Sequence, residues 1–96
     1  MYDQKLQTNA MVTVVGTDQV GIIAAVAAFF SDRGINIEDI NQTILSGNFV
    51  MVMMVNLQNS DKNVEELKCE LVELGKKMDV TISMMHEQVF SAMHRI

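Results

Sequence analysis

An unbroken run of seven apolar residues, Phe49-Val50-Met51-Val52-Met53-Met54-Val55, limits the fold more than any other stretch of this 96-residue chain. It is far shorter than the roughly 20 residues a helix needs to cross a bilayer, and its branched and aromatic members favour a strand. Side chains alternate across a strand, so a run that is apolar at every position needs cover on both faces. One layer can come from this chain's own helices. Just upstream, Ser46-Gly47-Asn48 reads as a tight turn and Asn36 to Leu45 as a partner strand, so the two strands form a hairpin.

The rest of the chain supplies that first layer. Ala10 to Val15 is a run of β-formers stopped by Gly16, and the loop Gly16-Thr17-Asp18-Gln19 leads into a helix expected from about Gln19 to Arg33. Asp18 is placed to cap that helix and Gly34 to end it, its glycine read as conformational. After a polar loop from Gln58 to Lys62, Asn63 followed by Glu66 has capping-box spacing, and Val64, Leu67, Leu71, Leu74 and Met78 fall on one helical stripe. Asp79 to Met85 alternates, with Val80, Ile82 and Met84 on one side. The order predicts an α+β, ferredoxin-like βαββαβ domain over 10–85, with a four-stranded antiparallel sheet and two helices on one face. A polar lead (1–9) precedes it and a short C-terminal tail (86–96) follows. Val89, Phe90, Met93 and Ile96 recur at helical spacing in the tail, which predicts a short amphipathic helix.

The second cover is left open by this plan. In the first helix Val20, Ile23, Ala27 and Phe30 are expected to face the sheet, which turns Ile22 and Phe29 to the back. With Met51 and Met53 of the apolar strand, these are the candidate interface residues. Each large apolar side chain left in water forgoes about 1.5–3 kcal/mol, so a homodimer or higher homo-oligomer is expected; the other reading is that the tail folds back over the sheet.

Charge and composition exclude several functions. Hydrophobic residues make up 49% and charged residues 20%, a balance that folds, while a net charge of -5 offers polyanionic nucleic acid no field. The polar stretch Met1 to Asn9 is no secretory leader and no segment spans a membrane, so a cytoplasmic protein is expected. Cys69 is the only cysteine and falls on the polar side of the second helix beside Glu65, Glu73 and Lys76; neighbouring carboxylates disfavour a reactive thiolate there. His86 and His94, eight apart, match no usual metal spacing, and the strand methionines suit packing better than a soft metal. A copper-carrying version of the plan would need paired cysteines between Gly16 and Gly21, and an RNA-binding version more strand aromatics than Phe49. No cofactor, metal or catalytic residue is expected.

Gly16-Thr17-Asp18-Gln19-Val20-Gly21-Ile22, followed by Gly34-Ile35-Asn36-Ile37, resembles the signature of the ACT domain family. The tail Phe90-Ser91-Ala92-Met93-His94-Arg95-Ile96 is similar to the ending of small stand-alone ACT proteins, and a more distant likeness is to the tandem-ACT regulator of glycine cleavage. The resemblance implies a regulatory, allosteric domain and not an enzyme. It implies side-by-side pairing through the second strand and first helix, with an amino acid held in the seam and the response read by a further protein. Carried over, the ligand residues are Gly16, Thr17, Asp18, Gln19, Val20 and Gly21 from one subunit and Asn36 with Ile37 from its neighbour.

Elementary chemistry supports the same site. A helix N-terminus offers free N–H groups to a carboxylate, Gly21 leaves the backbone approachable, and Asp18 and Asn36 can accept from an ammonium group. Asp18 is equally compatible with capping alone. Two other classes stand beside this reading. One is a pairing module with an empty seam. The other is an enzyme on the same plan, as in acyl-phosphate hydrolases, which needs an anion cradle with an Arg or Lys that the first loop lacks.

Overall fold

Strands β2 (Asn36–Leu45) and β3 (Asn48–Asn56) form the expected antiparallel hairpin, with Leu45 opposite Asn48 across the two-residue turn Ser46–Gly47. The computed structural model describes residues 9–17, 21–60 and 62–86. The expectations for the polar lead, the amphipathic tail and the Asp18 cap lie outside those residues, apart from Asn9 and His86. Strand β1 (Asn9–Thr17) pairs with β3 on one side and with β4 (Val80–His86) on the other, so the antiparallel sheet has the order β2-β3-β1-β4. Helix α1 (Ile22–Asp32) follows β1 and helix α2 (Val64–Met78) follows β3, giving the βαββαβ, ferredoxin-like order.

Both helices cover one face. Alternate residues Ala10, Val12 and Val14 of β1, Phe49, Met51, Met53 and Val55 of β3, and Ile82 and Met84 of β4 are buried there. Helical Ile22, Val26, Phe29, Phe30, Leu67 and Leu71 complete the core. Strand pairing puts Met11, Val15, Val50, Val52 and Met54 on the opposite face, where they stay half-buried or exposed.

Helix α2 is laid down by its own sequence. The Asn63 side chain accepts from Glu66 N–H at 2.9 Å and the Glu66 carboxylate accepts from Asn63 N–H at 3.0 Å, a complete capping box. Its apolar stripe enters the core, and Cys69 is exposed as expected.

Helix α1 corrects the expectation in two ways. It begins at Ile22, with Gly21 as its N-cap residue, and it buries Ile22, Val26, Phe29 and Phe30 while Ile23 stays exposed. Ile22 and Phe29, expected at a subunit interface, are core residues of the single chain. Met51 and Met53 are likewise fully buried beneath the helices, because their strand positions share a face with Phe49 and Val55. The reason is side-chain size: Ile22, Val26, Phe29 and Phe30 recur at i, i+4, i+7 and i+8 with alanines between them, so one stripe carries most of the bulk and the helix buries it. Its end is sharper. Ile35 N–H donates to Phe30 C=O at 2.9 Å and Gly34 N–H to Ser31 C=O at 3.1 Å, a Schellman closure with Gly34 at φ 71°.

Candidate functional site

Strand β2 is an edge, and nearly every residue along it is exposed, Ile37 alone being half-buried. Ile37, Ile40 and Ile44 lie opposite Val55, Met53 and Phe49, so they share the helix-side face. The helices nevertheless cover only their partners: Met53 is fully buried, whereas Ile40 is 39% and Ile44 55% exposed. Leu45, opposite Asn48, is exposed on the other face at the end of the same strand. A register shift between Ile37 and Asp39 leaves Glu38 as the extra residue of a bulge, which bends the edge near its start.

The expected ligand residues divide between the two ends of the sheet. Gly16 and Thr17 close β1, and Thr17 lies opposite Asn48, at the hairpin end. Gly21 follows there, at φ 91°, with open space where a Cβ would stand. Its geometry is one that L-residues adopt only with strain. No side chain caps the start of α1, and no acidic residue sits in its first turn, so the N–H groups beside Gly21 have no side-chain partner among the described residues. Asn36 and Ile37 open β2 at the far end, where Asn36, Asn56 and Asn9 form a cross-strand row. The eight steps of β3 separate the two ends by roughly 26 Å at about 3.3 Å per residue. One chain therefore does not bring Gly21 and Asn36 together. Asp18, Gln19 and Val20 lie outside the described residues.

Gly16 has a second reason to be glycine. A Cβ there would stand 2.6 Å from Val80 Cγ1, so the close β1–β4 approach excludes a side chain whatever the turn binds.

A depression of about 440 Å³ opens beside Asn36 and Ile37, lined also by Ala27, Ser31, Gly34 and Ile35. Sequence reading did not single out Ala27, Ser31 or Ile35 for this place. The signal that could have found them is positional: small residues one turn apart on α1 followed directly by the start of an edge strand.

On the outer side of the helices, Arg33 Nε donates to Glu70 Oε1 at 2.8 Å, Lys62 Nζ lies 3.2 Å from Glu70 Oε2, and the Arg33 guanidinium stacks 3.8 Å from the Phe29 ring centre. The hydrogen bond from Arg33 holds the Glu70 carboxyl below its ordinary value, against a smaller opposing effect of desolvation. Among the described residues no group of three or more His, Cys, Asp or Glu is placed to hold a metal, and no helix is long and apolar enough to cross a membrane.

A family model of the ACT domain matches residues 8–85. The chain belongs to the ACT domain family. A UPF0237 protein of Methanopyrus kandleri is 43% identical, the match covering 93% of this chain and 99% of that one. The solved ACT domain protein from Streptococcus pneumoniae is 33% identical with a TM-score of 0.78, over 85% of this chain and 92% of that one. A structure described as a glycine cleavage system transcriptional repressor is 27% identical with a TM-score of 0.69, over 80% of this chain and 44% of the repressor. This ACT domain therefore resembles small proteins made of little else, and the ACT fold is regulatory rather than catalytic.

Proposed function

We propose that this ACT domain protein is a cytoplasmic regulatory module that binds an amino acid between two copies of itself and passes the change to a further protein. The uncovered edge strand β2 carries this reading. A strand with free backbone groups and exposed isoleucines is a ready surface for a second copy. Antiparallel pairing of two β2 strands about a two-fold axis brings Asn36 of one copy to the Leu45 end of the other, which is also the end where that copy's Gly21 turn lies. The two halves of the ligand site, far apart in one chain, then meet.

Half of the site offers helix N–H groups for a carboxylate and the other half offers polar atoms for an ammonium group. A ligand touching both copies favours the arrangement in which both contacts form, and only that differential affinity can shift the assembly. Likeness to a glycine cleavage system repressor supports an amino-acid setting for the response.

The test joins two measurements. Light scattering should report a dimer or larger assembly that Ile44→Asp converts to monomer with its far-UV circular dichroism unchanged. A thermal-shift titration with amino acids should raise the midpoint of the unaltered chain, as a ligand of the folded state must. A stable monomer at micromolar concentration overturns the seam, and an unmoved midpoint with every amino acid leaves a pairing module without a ligand.

A further inference from the structure

We infer that the amino acid taken into the seam has a small, uncharged side chain, an inference that rests on the seam reading above. The depression at the start of β2 is where such a side chain would enter, and among the described residues its lining carries no charge. The stretch from Ala27 to Glu38 contains three charged residues, Asp32, Arg33 and Glu38, and none of them lines the depression. Arg33 is held by the Glu70 carboxylate at 2.8 Å and by Phe29, whose carbonyl accepts from it at 2.9 Å. Asp32 borders the separate groove between the two helices. Glu38 accepts from Asn56 Nδ2 at 3.1 Å. A ligand with an ionised side chain would lose its hydration once the second copy closes the depression and meet no counter-charge in this lining, which disfavours it.

The size limit comes from the second copy. With β2 paired end to end about its centre, Ile44 of the second copy comes opposite Ile37 on the helix-side face and closes the depression with apolar bulk. Ala27, Ile37 and Ile44 of the second copy then form the walls, and the Ser31 hydroxyl is left as the polar side chain on the helix, able both to donate and to accept.

Calorimetric titration of the full chain with glycine, alanine, serine, phenylalanine, aspartate and lysine tests this. At least one of glycine, alanine and serine should bind, with phenylalanine, aspartate and lysine at least tenfold weaker. Aspartate, lysine or phenylalanine binding as tightly as the best small one overturns the inference while the seam reading stands; no binding by any amino acid overturns both. Ser31→Asp places a charge in the depression on an exposed helix position, so the fold should be kept. It should weaken the best small amino acid at least tenfold, and unchanged binding by a dimeric Ser31→Asp protein would put the ligand elsewhere and overturn the assignment.

Discussion

Strands β2 and β3 are hydrogen-bonded neighbours of similar length, yet they live in different environments. Met51, Met53 and Val55 of β3 are completely buried, while Ile40 and Ile44 on the same face of β2 stand in water. The ladder between them satisfies backbone groups but buries no side chain; burial comes from the helices, and two helices cover three strands. An edge strand with exposed isoleucines is a surface on which another strand can pair. The difference teaches where uncovered apolar surface lies: along the edge of the sheet at Ile40 and Ile44, as well as on the face away from the helices, and not at Ile22 and Phe29 of α1.

The comparison can be broken most forcefully at its buried side. Met51→Ala should cost about 2–5 kcal/mol, since a fully buried side chain is lost and a cavity remains; urea denaturation of dilute protein measures it, and a loss below 1 kcal/mol would place Met51 outside the core. Next comes the turn that sets α1 over the covered strands. Gly21→Ala meets no neighbouring atom, so its cost is the backbone's alone, about 1–2 kcal/mol for an L-residue in a left-handed conformation, readable from the same denaturation curves.

On the exposed side, Ile40→Ala should change the stability of the dilute monomer by no more than about 0.5 kcal/mol, while weakening self-association in sedimentation velocity. A cost matching that of Met51→Ala in the monomer would erase the distinction between the strands. The smallest effect concerns the pair that ties α1 to α2. Glu70 titrates below its ordinary value of 4.5 in the folded chain, chiefly through the hydrogen bond from Arg33. Its contribution is thus present above that value and is lost as pH falls through the lower, folded one. The thermal midpoint of Glu70→Gln should therefore fall less between pH 7 and pH 3 than that of the unaltered chain; equal falls would show the pair to be without effect.

Much of this was legible because it is local. The capping box at Asn63 and Glu66, the Ser46–Gly47 turn, the closing Gly34 and the alternation of β4 are each decided by residues within a few positions of one another. The charged residues of α2 told its buried face from its wet one. Helix α1 has no charge between Ile22 and Phe30, and its marker is side-chain size, with Ile22, Val26, Phe29 and Phe30 on one stripe among alanines. The candidate site was half legible, since the glycine turn and Asn36 could be named but not the Ala27–Ser31 wall.

By itself, then, the sequence settled the order of elements, the capping box of α2 and the turns. Tertiary packing decided which face of α1 went inward, that Gly16 must make room for Val80, and that β2 and not the back of a helix was left bare. The physical reason is that propensity and capping act over one turn or one strand spacing. Burial instead depends on which surfaces, distant in the sequence, pack against one another in the folded chain.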